Sequence, residues 1–204
     1  LKKNDIVIMP AVNFIAAYSM AKKLGAKVIL ADVDPNTGQM TPETLINSIK
    51  KNKIKKIKAI VTMYLGGYPE NVYEFYKIKK IFKCYLIEDG CHALGAKYKF
   101  GKDNISIGSC KHSDICTFSM HPVKTITSGE GGIVTTNKLS LYKKILLLRS
   151  HGVVKKNHWS YEIGNEGYNY RLNEIACALG ISQLKKINMF MKKRNAISSL
   201  YKKK

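Results

Sequence analysis

KAIVTMYLGGYPENVYEFYKIKKIFKCYLIEDG, residues 58–90, holds two short apolar runs separated by one longer, lysine-flecked segment. The first run predicts a strand over residues 58–62, the middle a helix near residues 71–82, and the second run a strand over residues 85–88. Both strands are almost wholly apolar, which suits strands covered on two faces rather than one. A strand, one helix and a second buried strand form a right-handed βαβ unit with its strands parallel. Working outward, the same alternation precedes it: strands over residues 6–9 and 27–31, and helices near residues 14–24 and 42–51. Thr41-Pro42-Glu43 reads as an N-cap followed by proline at the first helical position. The expected fold is therefore α/β, a three-layer α/β/α arrangement around a mostly parallel, mixed sheet.

After Glu88 the character changes. Strands are expected over residues 115–119 and 132–135, flanking a glycine-rich turn, with a helix over 139–148. A loop of about 20 residues rich in Gly, His, Asn and Tyr follows, and loops that long inside a domain usually carry function or motion. Helices near 173–186 and 187–203 close the chain. No repeat or low-complexity linker interrupts it. The expected organisation is one large domain over 1–186, with 187–204 opening a helix that leads to a second domain. The start at Leu1 and the end at Tyr201-Lys202-Lys203-Lys204 read as cut points in a longer protein.

The charge is lopsided, with 35 basic against 14 acidic residues and a formal net charge of +21. A basic nucleic-acid-binding module has to be weighed against that figure, and it would show binding that falls steeply with salt. Yet only Arg149, Arg171 and Arg194 are arginines, and the lysines are spread along the whole chain. Nucleic-acid readers concentrate charge and favour arginine for bidentate contacts, so a solvated lysine surface is the expected reading and nucleic acid is not an expected partner. Five cysteines, odd in number and without a CxxC pair, argue for reduced thiols in a cytoplasm and against a disulfide frame or zinc ribbon. No metal is called for. No apolar run of membrane-spanning length occurs, and no secretory leader is recognisable.

Three stretches carry candidate chemistry. In Glu88-Asp89-Gly90-Cys91-His92-Ala93 two carboxylates end an apolar run, at the strand terminus where open α/β sheets bind ligands; an acidic helix N-cap is the ordinary alternative. In Phe118-Ser119-Met120-His121-Pro122-Val123-Lys124 a strand ends in serine and a lysine follows, ahead of Thr125, Thr127, Ser128, Gly129, Glu130, Gly131 and Gly132. Small and hydroxyl residues around one lysine suit a phosphate-bearing ligand, because backbone N–H groups can approach it. Gly167-Tyr168-Asn169-Tyr170-Arg171-Leu172-Asn173-Glu174 is a polar turn opening a helix, and an ordinary capped start accounts for it equally.

Taken in order, these stretches resemble the nucleotide-sugar aminotransferases of the DegT/DnrJ/StrS family, fold-type I enzymes of pyridoxal 5′-phosphate (PLP). The likeness runs from Asn4-Asp5-Ile6-Val7 through Leu24-Gly25-Ala26-Lys27 and Ala31-Asp32-Val33-Asp34 to Ala178-Leu179-Gly180, Gln183-Leu184 and Arg194. The Ser119–Gly132 stretch is most similar to the branch that aminates UDP-linked 4-keto-6-deoxy-hexosamines. The resemblance implies that Lys124 holds the cofactor as a Schiff base and then serves as base and acid, a task suited to an amine whose pKa falls readily. It implies that Asp89 pairs with the pyridinium nitrogen. By the same resemblance His92 contacts the 3-hydroxyl, where many relatives carry glutamine. Phe14 stacks on the ring, Ser119 binds the phosphate, and Asn169 reaches the phosphate of a neighbouring subunit, which makes the protein a homodimer with shared sites. His151, His158 and Tyr161 fall where relatives contact substrate, and Trp159 lies beside them. His112 is expected in an exposed connection.

The implied reaction moves an amino group from an amino-acid donor, L-glutamate, to C4 or C3 of a UDP- or dTDP-linked keto-deoxysugar, for surface glycans or aminosugars. A same-fold keto-sugar dehydratase is the nearest rival, but those carry histidine in place of the lysine. Family members also have an earlier phosphate-cupping turn and a small C-terminal domain; without them the 204 residues alone are expected to be inactive.

Overall fold

A computed structural model of the chain describes residues 1–164 and 166–202, apart from the side chain of Lys155. The end of the last expected helix, residue 203, lies outside the described residues, as does residue 204. The strands are β1 (Ile6–Pro10), β2 (Lys27–Ala31), β3 (Ala59–Met63), β4 (Tyr85–Asp89), β5 (Lys97–Phe100), β6 (Asp103–Ser106), β7 (Ile115–Ser119), β8 (Gly132–Thr135), β9 (Val153–Lys155) and β10 (Tyr161–Ile163). The helices are α1 (Ala16–Lys23), α2 (Pro42–Lys51), α3 (Val72–Phe82), α4 (Leu139–Arg149), α5 (Glu174–Leu184) and α6 (Ile187–Tyr201).

The main sheet is six-stranded, in the order β2-β1-β3-β4-β7-β8. Every neighbouring pair is parallel except β7 with β8, so the mixed sheet has one antiparallel edge. The strand order reverses at β1: the first crossover moves to β2 on one side, and the next returns to β3 on the other. Ligands of open α/β sheets bind at the carboxyl ends of strands beside such a reversal.

Side chains alternate across the sheet, which sorts the core into two faces. Ile8, Ile60 and Leu86 pack with Leu45 and Ile49 of α2 and with Phe75 and Ile78 of α3. Val7, Met9, Ala59 and Val61 pack on the opposite face with Ala21 of α1. α2 begins as its sequence predicts: the Thr41 hydroxyl accepts the Thr44 N–H, the Thr44 hydroxyl closes a reciprocal box, and Pro42 fills the first helical position.

Two hairpins appear where none was expected. β5 and β6 form one between the acidic motif and β7, and β9 with β10 form another inside the polar region after α4. The first of these corrects the placement of His112. Rather than lying in an exposed connection, His112 is 6% exposed. It is packed against Tyr73 and Tyr76 of α3 and Phe100 of β5, and its Nδ1 lies 2.7 Å from the Tyr98 hydroxyl. The hairpin closes over it, and burial followed by the Lys111 charge lowers its pKa.

Candidate active site

β4 ends in Glu88 and Asp89, and the period-2 alternation sends the two carboxylates to opposite faces. Glu88 is 3% exposed and accepts the Tyr64 hydroxyl at 2.6 Å and the Ser113 hydroxyl at 2.8 Å. Burial raises its pKa, against the lowering effect of those hydrogen bonds. Asp89 faces a large cavity instead. Its Oδ1 accepts the Cys91 N–H at 3.1 Å, in a turn rather than a helix, so the N-cap alternative for this carboxylate is not realised.

β7 ends in Ser119, and a tied loop joins it to β8. The Met120 N–H donates to the Gly131 carbonyl, the Met120 carbonyl accepts both Ser128 N–H and the Thr127 hydroxyl, and the Ser128 hydroxyl donates to the Glu130 carbonyl. Lys124 sits in this loop, half-buried, with its N–H donating to the His121 carbonyl and its own carbonyl accepting Arg194 Nη2 of α6 at 3.2 Å. The Ser119 hydroxyl accepts the His121 N–H at 3.3 Å, which leaves its own proton to donate.

The cavity measures about 1010 Å³ and opens on the α1 face, at the carboxyl ends of β1, β3, β4 and β7. It brings together Phe14, Asp89, His92, Ser119 and Lys124, five of the expected cofactor-binding residues. Phe14 stands just before α1 and is 76% exposed. His92 is half-buried; burial, then the Lys124 charge, holds its pKa below the ordinary histidine value, against the pull of the Asp89 carboxylate. Cys91 lies among the same groups, and burial, followed by its hydrogen bond to Asp89, pushes the thiol up to about 12. It is therefore a neutral thiol at physiological pH and no nucleophile.

Asn13, Thr117, His121 and Glu130 also line the cavity, and no expectation named them as site residues. His121 lies inside the lysine motif, 3.8 Å from the Glu130 carboxylate through Nε2. Its place between Ser119 and Lys124 was the available signal.

The remaining expected residues lie outside this cavity. Asn169 is exposed and forms an isolated antiparallel bridge with Ser150, while Asn173 caps α5 through its side chain. His151 is exposed in the left-handed region, φ 61°, with its N–H donating to the Tyr168 carbonyl. His158 is exposed between β9 and β10, and Tyr161 opens β10 with 67% exposure. Among the described residues there is no cluster of three metal-binding side chains, no helix long and apolar enough to cross a membrane, and every cysteine is a free thiol.

The DegT/DnrJ/EryC1/StrS aminotransferase family model matches residues 1–204. A UDP-4-amino-4,6-dideoxy-N-acetyl-beta-L-altrosamine transaminase of Campylobacter jejuni is 42% identical over 201 residues, covering 98% of this chain and 51% of that protein. GDP-perosamine synthase of Escherichia coli O157:H7 is 36% identical over 204 residues, covering 100% of this chain and 52% of that protein. The chain thus spans about half the length of the curated relatives it matches. Among solved structures, Helicobacter pylori PseC, an aminotransferase involved in the biosynthesis of pseudoaminic acid, superposes with a TM-score of 0.87 at 32% identity, over 98% of this chain and 51% of that one. The PLP form of the putative sugar aminotransferase Spr1654 of Streptococcus pneumoniae superposes with a TM-score of 0.86 at 26% identity, over 99% and 54%. With its whole length matched and its sheet and cavity laid out as above, this chain belongs to the DegT/DnrJ/EryC1/StrS aminotransferase family.

Proposed function

We propose that the protein carrying this chain is a PLP-dependent aminotransferase that moves an amino group from L-glutamate onto the keto carbon of a nucleotide-linked deoxysugar. The observation that carries this reading is the meeting of Lys124 and Asp89 in one cavity at the carboxyl ends of parallel strands. The residues present fit the cofactor chemically: an amine for a covalent anchor, a carboxylate for a ring nitrogen, an exposed aromatic face, and hydroxyl and imidazole donors for oxygens. Bound there, PLP supplies the electron sink for the pair left behind when a C–H bond next to nitrogen breaks.

The chain's own residues do the rest. Lys124 provides the anchoring Nζ, and as a free amine it takes and returns the proton at the reacting carbon. Asp89 holds a proton on the ring nitrogen by charge. His92, neutral, donates to the ring oxygen, Phe14 covers one ring face, and the Ser119 hydroxyl donates to the phosphate. Asn169 lies outside the cavity of its own chain, which agrees with its serving a partner's site in a homodimer. α5 supports such an assembly: its apolar residues are spread around the helix rather than along one stripe, yet none is buried, whereas helices so patterned are normally covered. His151, His158 and Tyr161 are assigned to the nucleotide-sugar, whose class is supported by the names of the relatives. The large domain is assigned to residues 1–186 and the lead to a second domain to 187–204. A cytoplasmic location agrees with the free thiols.

The test is an absorbance spectrum of the whole protein with PLP, before and after borohydride, for native protein and Lys124→Ala. A visible band that reduction traps on the peptide containing Lys124, absent in the variant, is the expected result. A folded protein with neither band nor covalent label would overturn the reading.

A further inference from the structure

Between β3 and α3 runs a turn, Tyr64–Tyr68, whose anchoring is more elaborate than a connection needs. At its start Tyr64 is 2% exposed, and its hydroxyl donates to the buried Glu88 carboxylate at 2.6 Å. At its end the amide of Gln39, 6% exposed, donates through Nε2 to the Tyr68 carbonyl at 3.0 Å. Between these pins the Tyr64 N–H reaches the Asp89 carbonyl, and the Gly67 N–H donates to the Tyr64 carbonyl at 2.9 Å.

Two glycines make the turn possible. Gly66 and Gly67 have φ of 66° and 83°, the left-handed region in which glycine alone is unstrained. A Cβ on Gly67 would stand 2.4 Å from the His92 carbonyl oxygen, a backbone atom that cannot rotate away. The turn is therefore seated directly on the segment that carries His92. From that seat the Gly66 N–H donates to His92 Nδ1, at 3.4 Å.

A ring nitrogen that accepts a hydrogen bond carries no proton, so a neutral imidazole so held keeps its proton on Nε2. We propose that the Tyr64–Tyr68 turn is a positioning device that holds His92 as the neutral Nε2–H tautomer, so that the ring presents a hydrogen-bond donor to an oxygen acceptor in the cavity. On the function proposed above, that acceptor is the 3-oxygen of the cofactor ring, and the inference rests on that reading for the identity of the acceptor only. Protonating Nδ1, in the other tautomer or in the cation, would set two N–H groups against each other. The Lys124 charge opposes the cation in the same sense, and the Asp89 carboxylate alone favours it. Tyr64, Gly66 and Gln39 are positioning residues here, since none of them lines the cavity.

The test uses the whole protein without cofactor, labelled with ¹⁵N in its histidines and backbone, with His92 assigned by the signal lost in His92→Gln. Native protein is expected to show a protonated Nε2 and a bare Nδ1, with a Gly66 amide protected from exchange. Tyr64→Phe and Gln39→Leu each release one pin, and in each the Gly66 amide is expected to exchange about tenfold faster while His92 shifts toward a mixture of tautomers. The other histidine signals and the circular dichroism should stay unchanged, which separates loosening of the turn from unfolding. A proton on Nδ1 in native protein overturns the proposal, and so does a Gly66 amide that neither variant affects. Borohydride trapping on the same preparations after PLP is added keeps the two readings apart. Trapping with the wrong tautomer removes the turn's role and leaves the function, whereas the right tautomer without trapping does the reverse.

Discussion

Replacing Asp114 by alanine should cost this protein more stability than any other loss of a single charge that the structure suggests. Asp114 precedes β7 and is 1% exposed. Its Oδ1 accepts Lys79 Nζ of α3 at 2.8 Å and Lys138 Nζ at 2.5 Å, and its Oδ2 accepts the Leu86 N–H of β4 at 2.8 Å. One carboxylate thus joins α3, β4 and the start of α4. Its removal leaves the Leu86 N–H buried without a partner, worth about 1–3 kcal/mol. It also strips the counter-ion from Lys79, whose side chain is 13% exposed, and breaking a buried pair from one side costs about 3–5 kcal/mol. These losses share one group and do not add, so about 3–5 kcal/mol is expected overall. Lys138 is half exposed, so Lys138→Ala is the control and should cost no more than about 1 kcal/mol. The assay is the urea midpoint of the whole protein at unchanged slope. A pH series checks the sign. Burial alone would raise the Asp114 pKa, but the Lys138 and Lys79 contacts and the Leu86 N–H outweigh it and hold it below the ordinary value. Its contribution is then fully present above the ordinary aspartate pKa of about 3.9 and lost as the pH falls through the lower folded value. Asp114→Ala should flatten that acid limb. A loss below about 1 kcal/mol would refute the reasoning.

His112 gives a second acid-sensitive limb of different origin. Its pKa is lowered in the folded protein, so the unfolded chain binds the proton more readily. Stability should therefore fall as the pH drops from about 6.5 toward the lower folded value, and His112→Phe, tested by thermal unfolding across that window, should remove its share of the dependence and leave that of His92. Arg194→Ala removes the exposed guanidinium that reaches the Lys124 carbonyl. It should leave the folding midpoint within about 0.5 kcal/mol, while the cofactor dissociates several-fold faster in a stopped-flow exchange; an unchanged rate would show that the loop holds Lys124 unaided. Gly167→Ala would place a Cβ 2.4 Å from the Gly152 nitrogen and 2.7 Å from the His151 carbonyl carbon, with the Leu148 carbonyl oxygen at 2.9 Å. The expected loss is about 1–3 kcal/mol, with faster proteolysis between α4 and α5.

How much of this was legible in the residues depended on whether the signal was local. The five parallel strands of the sheet could be read because each is a short, mainly apolar run, and that pattern needs no partner to be recognised. β2, β7, β8 and α2 fall on the residues expected of them, and β8 was foreseeable from the glycine turn that separates it from β7. The β5–β6 hairpin was not legible. Its sequence, from Lys97 to Ser106, is rich in lysine and polar residues, and what holds it is the aromatic cluster around His112, assembled from α3 and residues beyond the hairpin. β9 and β10, three residues each, pair only with one another, and nothing in a loop rich in Gly and Asn marks so short a ladder. The site divides in the same way. Asp89, Ser119 and Lys124 stand at or just after strand ends, a position that sequence alone marks, and the cavity gathers them. Glu88 looked from the sequence like a second member of the same acidic motif. The pleat turns it to the other face, where it holds Tyr64 rather than a ligand. The Gly66 contact with His92 joins residues 26 apart in sequence, through a backbone amide that no side-chain pattern reports. Sequence reading thus finds the groups that would perform the chemistry, whereas the parts that would aim them are tertiary and come only from the packing of one strand end against the next.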